Sequence, residues 1–122
     1  MTPSDYIKNA LRTESPYLFE ETNGVSPRVE HATIGVVTEA GELMNAIKRA
    51  KIYGKTLDHV NLVEEAGDVM WYLAILADDL GVSFEEIWDK NIAKLRLRYP
   101  DKYSDEHCLN RDTEAERKIL ET

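Results

Sequence analysis

The sequence contains a single cysteine, Cys108, so no disulfide can form within the chain and a disulfide-stabilised scaffold is excluded. One unpaired thiol suits a reducing compartment, and we expect a cytoplasmic protein. The first five residues, MTPSD, are polar and do not resemble a signal peptide. No apolar run approaches the ~20 residues that a membrane-spanning helix needs. These absences disfavour secreted and membrane-spanning classes.

Histidine and positive charge are also scarce. The three histidines, His31, His59 and His107, do not stand at metal-ligand spacing, and His107 beside Cys108 is only a pair of soft ligands. No glutamate is followed by a histidine three residues later, which excludes the Glu-x-x-His pairs of di-iron bundles. Basic residues number 15 against 23 acidic ones, and this net charge of −8 disfavours a nucleic-acid-binding surface. A nucleotide is compatible with this charge if bound metal ions neutralise its phosphates.

Patterns typical of β-strands are absent as well, and the apolar spacing predicts an all-α protein. A chain of 122 residues fits a single domain with one core. Ser26-Pro27 and Ser83 are typical helix starts, while Gly54 and Gly81 are typical helix ends. We predict a four-to-five-helix antiparallel bundle, with helices over about residues 3–12, 27–53, 58–80, 84–99 and 113–121 and a loop over residues 13–27.

Two acidic tetrads are the most informative segments that are present, Glu39-Ala40-Gly41-Glu42 and Glu65-Ala66-Gly67-Asp68. Each places two carboxylates three residues apart, which brings them to one face of a helix. Two like charges ~5 Å apart at an effective dielectric of ~20 repel by about 3 kcal/mol unless a cation lies between them. Mg²⁺ takes such oxygen ligands and bridges carboxylates to phosphates. One tetrad alone would most often be a solvated helix face, but two together predict a metal site for a phosphorylated ligand.

The tetrads lie along the edges of the apolar stripes of their helices. In the helix over residues 27–53, small residues Gly35 and Ala46 share the edge with the acids. In the helix over residues 58–80, Tyr72 follows Asp68 by one turn and is the best aromatic candidate for the site. The helix over residues 84–99 has a similar polar edge, formed by Asn91, Lys94 and Arg98. Packing of the helices into a bundle is expected to bring these edges to one pocket.

The segment over residues 69–77 is apolar nearly all round, which is typical of a helix that is buried on every side. A chain of this length has few elements with which to cover it. We therefore expect a homo-oligomer, a homodimer or a homotetramer, in which Trp71 and Ile75 meet a partner subunit.

The ordered motifs resemble the MazG-like family of the all-α NTP pyrophosphatase superfamily, whose signature is Glu-x-x-Glu, a spacer and Glu-x-x-Asp. The signature reads here Glu39-x-x-Glu42, residues 43–64 and Glu65-x-x-Asp68, followed by Asn91-x-x-Lys94-Leu95 and Arg98-Tyr99-Pro100. The resemblance implies a single MazG-like domain over residues 1–122, with its core at about 28–103 and a polar C-terminal tail over 101–122.

The resemblance also implies an activity and residue roles. Such enzymes hydrolyse nucleoside triphosphates between the α- and β-phosphates to a monophosphate and pyrophosphate, and clear the nucleotide pool. Their four acids, here Glu39, Glu42, Glu65 and Asp68, would hold Mg²⁺, with Mn²⁺ as a substitute. Glu42 or Glu39 would orient or deprotonate the attacking water. The expected substrate contacts are phosphate or sugar for Asn91, Lys94 and Arg98, and base or sugar for Tyr72.

Two alternatives stay open at the level of the sequence. A base-specific relative, such as a dUTP or dCTP pyrophosphatase or phosphoribosyl-ATP pyrophosphatase, shares the four acids and differs in the residues around the base. A non-catalytic helical module that binds nucleotides or a partner protein through its acidic faces would instead show no turnover.

Overall fold

The computed structural model describes residues 1–17 and 19–122. The described residues form six helices and no strand, which confirms the all-α prediction. No helix among them is both long and apolar enough to cross a membrane. The short α5 was not predicted, because five polar-flanked residues carry no periodic signal. The helices are α1 (Pro3–Leu11), α2 (Pro27–Lys51), α3 (His59–Leu80), α4 (Phe84–Arg98), α5 (Asp105–Leu109) and α6 (Thr113–Glu121).

Local capping explains where the long helices begin and end. The Ser26 hydroxyl accepts a hydrogen bond from the Val29 N–H, and the Asp58 carboxylate accepts one from the Asn61 N–H. At the other end of α3, Gly81 adopts the left-handed conformation with φ 68°, which a side chain would disfavour. The predicted starts at Ser26 and Ser83 and the predicted stop at Gly81 therefore correspond to caps. The predicted stop at Gly54 does not, because α2 ends at Lys51 and Ile52 is its C-cap.

The chain forms two compact units, Met1–Val82 and Ser83–Thr122. The prediction of a single domain over residues 1–122 stays a prediction. In the first unit, α2 packs along α3 and α1 packs against α3. Arg49 near the end of α2 donates to Asn61 near the start of α3, while Arg28 and Asp78 pair at the opposite ends. Helices α2 and α3 are thus antiparallel.

The buried face of the α2–α3 pair is rotated from the predicted apolar stripes. Small residues fill this face of α2: Gly35 and Ala46 come from the predicted edge beside the acids, and Ala32 comes from the predicted apolar stripe. Met44, which belongs to the apolar stripe of α2, is 65% exposed. The edge that carries the acids is therefore the helix–helix interface itself. The reason is steric, because small side chains let two helices approach closely even where they add little apolar character.

The prediction that Ile75 faces a partner subunit is wrong, whereas that for the half-buried Trp71 stays a prediction. Ile75 is fully buried within the chain. The indole N–H of Trp71 donates to the Ala10 carbonyl oxygen at 3.0 Å and to the Thr13 hydroxyl at 2.8 Å. Helix α1 and the residues after it cover this part of α3, a role that the sequence pattern did not reveal.

Other apolar side chains of α2 and α3 are left at the surface. They carry aliphatic or thioether side chains, which monomeric proteins rarely expose as a large contiguous patch. The most exposed are Val37, Met44, Val60 and Val63. Homo-oligomerisation stays a prediction, with contact residues other than Ile75.

Arg28 ties the start of α2 to the end of α3. Its guanidinium donates two hydrogen bonds of 3.0 Å to the Glu14 carboxylate and pairs with Asp78 at 2.8 Å. The bonds to Glu14 are the main cause that raises the pKa of Arg28. Asp79 accepts a hydrogen bond of 2.7 Å from the Ser26 hydroxyl beside it. Charge and helix cap thus fix one end of the α2–α3 pair.

We expect Arg28→Met to lower the free energy of unfolding by about 1–3 kcal/mol, because Glu14 would keep a largely buried charge without its partner. This expected loss of unfolding free energy is smaller than that for a fully buried ion pair, because the Arg28 side chain is 25% exposed. Urea unfolding followed by circular dichroism measures the change. The control is Arg117→Ala, which breaks an ion pair with side chains 74% and 57% exposed and should cost less than about 1 kcal/mol. Equal losses in the two variants would contradict the account.

In the second unit, α4 packs against α6. Glu116 of α6 is 4% exposed and lies between two arginines. Arg98 at the end of α4 donates to its carboxylate at 2.8 and 3.1 Å, and Arg111 donates at 3.3 and 2.6 Å. The hydrogen bonds from Arg98, and then those from Arg111, lower the pKa of Glu116 from 4.5 to about 2.

This shift predicts a pH dependence of stability. The unfolded chain takes up a proton at Glu116 near pH 4.5, while the folded chain keeps the carboxylate ionised to about pH 2. The stabilisation by the two arginines is therefore complete above pH 4.5 and is lost as the pH falls towards 2. Unfolding of the wild type and of Glu116→Gln should differ by a constant free energy above pH 4.5 and by a shrinking one below it. A difference that stays constant down to pH 2 would show that the ion pairs do not stabilise the fold.

Candidate metal centre and its surroundings

Three of the four predicted acids come together where α2 and α3 pack. Glu39, Glu65 and Asp68 each offer a carboxylate oxygen, and these atoms all lie within 4.8 Å of one another. The antiparallel pairing brings the first acid of one tetrad to both acids of the other. Glu42 is exposed and lies outside this group. The three carboxylates are called the acidic triad below.

The electrostatics of the acidic triad favour a cation. Burial is the largest cause that raises the pKa of Glu39. A hydrogen bond with Glu65 and the negative charges of Asp68, Glu65 and Glu42 raise it further. A divalent cation removes the same repulsion that a proton would remove. Hard carboxylate oxygens are ligands that Mg²⁺ prefers, so the residues present fit this ion.

Two polar side chains orient Glu65, which is only 9% exposed. The Asn61 amide donates to the Glu65 carboxylate at 3.0 Å, and Arg49 donates to the Asn61 oxygen at 3.2 Å. Outer partners of this kind fix the orientation of metal-binding carboxylates. The i, i+4 spacing of Asn61 and Glu65 was the available signal, whereas the contact of Arg49 required the fold.

Tyr6 of α1 is a second neighbour that the sequence analysis missed. Its hydroxyl donates to the Gly67 carbonyl oxygen at 3.4 Å, between the two acids of the second tetrad. Burial, and after it the charge of Asp68, raises the pKa of Tyr6. The phenol therefore stays protonated beside the acidic triad, and α1 supplies part of its surroundings.

Tyr72 packs directly on the backbone of α2 at Gly35. A Cβ atom at residue 35 would overlap the Tyr72 ring. The ring is also held edge-on by His31 and Trp71, with centroid distances of 5.4 and 4.9 Å. Gly35 lies one turn before Glu39, and Tyr72 lies one turn after Asp68. Tyr72, the predicted aromatic candidate, is thus held in place one helical turn from the acidic triad.

The same aromatic cluster contains two buried polar atoms without a partner in the described part of the chain, the Tyr17 hydroxyl and Nδ1 of His31. The Tyr17 and His31 rings meet edge-on at 5.1 Å.

The glycines inside the tetrads differ from Gly35, since a Cβ at Gly41 or Gly67 would meet none of the described neighbouring atoms within 4 Å. The structure gives no reason for glycine at those two positions.

The three predicted residues of α4 belong to the second unit and share one face of that helix. Asn91 is exposed, Lys94 is half-buried, and the guanidinium of Arg98 is bonded to Glu116. Their roles as substrate contacts stay predictions.

A comparison with protein families matches residues 10–103 to the MazG nucleotide pyrophosphohydrolase domain. The match covers more than half of the chain and includes both tetrads and the polar face of α4. The chain belongs to this family. The family resemblance of the sequence is thereby confirmed.

Two curated proteins are similar to this MazG chain. The Gene 37 protein of Mycobacterium phage L5 is 37% identical over an alignment of 76 residues, and the match covers 57% of this chain and 65% of that protein. The uncharacterized protein YvdC of Bacillus subtilis (strain 168) is 36% identical over an alignment of 73 residues, and the match covers 52% of this chain and 69% of that protein. The chain thus spans about two thirds of the length of either relative. A comparison with solved structures finds no match.

The MazG match leaves both ends of the chain outside it. Tyr6 precedes residue 10, while Arg111 and Glu116 follow residue 103. Asp68 and Arg98 therefore each have a neighbour outside the matched range, Tyr6 and Glu116 respectively.

Proposed function

We propose that this MazG chain is an Mg²⁺-dependent nucleoside triphosphate pyrophosphohydrolase. It cleaves ribo- or deoxyribonucleoside triphosphates between the α- and β-phosphates to a monophosphate and pyrophosphate, which clears the nucleotide pool. The observation that supports the proposal best is the acidic triad, whose oxygens lie within 4.8 Å of one another in a chain of this family.

Glu39, Glu65 and Asp68 hold the metal in this proposal, with Glu42 as the fourth acid. When bound, Mg²⁺ neutralises phosphate charge and lowers the pKa of a bound water, and Mn²⁺ is a substitute. Asn61 and Arg49 keep the Glu65 carboxylate in one orientation. The protein thus prepares the oxygen ligands before the substrate binds.

Glu39 or Glu42 is the proposed base. Its carboxylate accepts a proton from the attacking water, whose oxygen bonds to a phosphorus of the α–β bridge as the bridging P–O bond breaks. Asn91, Lys94 and Arg98 are the proposed contacts for phosphate or sugar, and Tyr72 is the proposed contact for base or sugar.

We also propose a cytoplasmic homo-oligomer, a dimer or a tetramer. The exposed apolar side chains of α2 and α3, such as Val37 and Val63, support self-association. Light scattering after size exclusion measures the mass, and a monomer at micromolar concentration would contradict this part.

Analogues that resist cleavage at one bond test the reaction. A triphosphate with nitrogen between the α- and β-phosphorus should resist hydrolysis and inhibit competitively. The analogue with nitrogen between β and γ should still yield the monophosphate and imidodiphosphate. The opposite pattern would mean that the enzyme cleaves the β–γ bond, and the proposed reaction would be wrong.

A further inference from the structure

The single negative charge of Glu116 is paired with two positively charged arginines. A carboxylate accepts one guanidinium as a complete two-bond fork. Here two guanidiniums, those of Arg98 and Arg111, each direct two hydrogen bonds at the same carboxylate. The group of three side chains keeps one positive charge in excess, in a chain whose net charge is −8. Lys94 lies one turn before Arg98 and adds a further charge on the same face of α4.

The two arginines keep hydrogen-bond donors for another ligand. A guanidinium has five N–H groups, and each fork uses two of them. Arg98 also has a hydrogen bond with the Tyr99 side chain, so Arg111 keeps the larger number of donors. The Arg98 side chain is 15% exposed, whereas that of Arg111 is 43% exposed although both are bonded to the same oxygens. Arg111 therefore presents charge and donors to solvent in a fixed orientation. Guanidinium pairs of this kind match the geometry of phosphate oxygens.

We propose that Glu116 is a positioning residue that holds Arg98 and Arg111 together as a two-guanidinium site for the phosphate chain of the substrate. The proposal rests on the proposed function, in which Arg98 contacts the triphosphate, and it adds Arg111 as a second contact. Glu116 does not touch the substrate. It prevents the two arginines from separating and fixes the planes of their guanidinium groups.

Steady-state kinetics and binding of inorganic tripolyphosphate test the proposal in the full-length protein. Arg111→Ala and Glu116→Gln should each raise KM for a nucleoside triphosphate and Kd for tripolyphosphate by about tenfold, with kcat nearly unchanged. In an Arg98→Ala background, Glu116→Gln should have little additional effect, because the residue acts through Arg98. Arg111→Lys should recover part of the affinity.

Glu121→Gln is the matched control, since it breaks the Arg117–Glu121 pair of 2.7 Å on the same helix. It should leave KM, kcat and Kd unchanged. A role in folding alone would lower the active fraction, and thus apparent kcat, without moving KM or Kd, and this result would overturn the proposal. Tighter binding by Glu116→Gln would overturn it too, because Glu116 would then compete with phosphate for Arg98.

Arg111→Ala keeps the inference testable if Glu116→Gln fails to fold, because the Arg111 side chain is the more exposed partner. Calorimetry with tripolyphosphate also separates this inference from the proposed function. A wild type that hydrolyses no triphosphate but loses tripolyphosphate binding in Arg111→Ala would refute the reaction and support the site. A wild type that is active, with both variants unchanged, would refute the site alone.

Discussion

Asp68→Asn should reduce turnover by a factor on the order of 10³ with Mg²⁺, while the metal-free protein melts at the same temperature or higher. Asparagine keeps the size of the side chain but removes a charge from the acidic triad. The loss of activity follows because Asp68 is one of three carboxylates whose oxygens lie within 4.8 Å. Glu42→Gln should also abolish turnover, if Glu42 serves as the fourth acid or the base.

The unchanged or higher melting temperature follows from the same geometry. Each like-charged pair at ~5 Å costs at most about 3 kcal/mol at an effective dielectric of ~20, and less where water screens it. Asp68 is exposed, so only a part of this repulsion is relieved in the variant. Addition of Mg²⁺ should then raise the melting temperature of the wild type more than that of Asp68→Asn.

Glu64→Gln is the matched control for Asp68→Asn. Glu64 is an exposed carboxylate on the same helix, next to Glu65 but outside the acidic triad. Its replacement should change kcat by less than about threefold, because its carboxylate is exposed to solvent and lies outside the acidic triad. If Asp68→Asn fails to fold without metal, the acids are structural and the metal-site proposal is wrong.

Gly35→Ala should lower the free energy of unfolding by about 1–3 kcal/mol and turnover by about 10²-fold. The added methyl group would overlap the Tyr72 ring, which cannot swing aside because His31 and Trp71 hold it edge-on. The strain has to be relieved by separation of α2 and α3. Glu39, one turn from Gly35, would then move away from Asp68, which is why activity falls more than a surface substitution would explain.

A double variant and a second glycine make this prediction specific. Gly35→Ala combined with Tyr72→Ala should be more stable than the sum of the two single losses implies, because removal of the ring removes the overlap. Gly41→Ala should instead raise stability by roughly 1 kcal/mol, since its Cβ would meet no described neighbour within 4 Å and alanine favours a helix. Equal losses for Gly35→Ala and Gly41→Ala, measured by urea unfolding, would show that Tyr72 does not impose the requirement.

Local signals account for what the sequence revealed. The cap at Ser26 and the left-handed Gly81 act within a few residues, so their patterns are readable without the fold. The same holds for the two tetrads, whose spacing places each pair of acids on one helix face. The structure brings together Glu39, Glu65 and Asp68 from two helices. The spacing of residues within one helix could not show which acid of the other helix would lie beside them.

Contacts between distant residues account for what the sequence did not reveal. Tyr6 reaches Gly67 from another helix, and Arg49 reaches Asn61 across the α2–α3 loop. The rotated buried face of α2 has the same origin, because Gly35 has no side chain and gives no hydrophobic signal. Its importance arises only from the ring of Tyr72 on the facing helix.

The central claim is that this MazG chain releases pyrophosphate from nucleoside triphosphates, and the most direct test is to identify the products across the common ribo- and deoxyribonucleotides. Anion-exchange chromatography separates them after incubation with Mg²⁺ or with a chelator. The account predicts equal amounts of monophosphate and pyrophosphate from at least one substrate with Mg²⁺, and none with the chelator. Diphosphate and orthophosphate as products, or no hydrolysis of any substrate with Mg²⁺ or Mn²⁺, would contradict it.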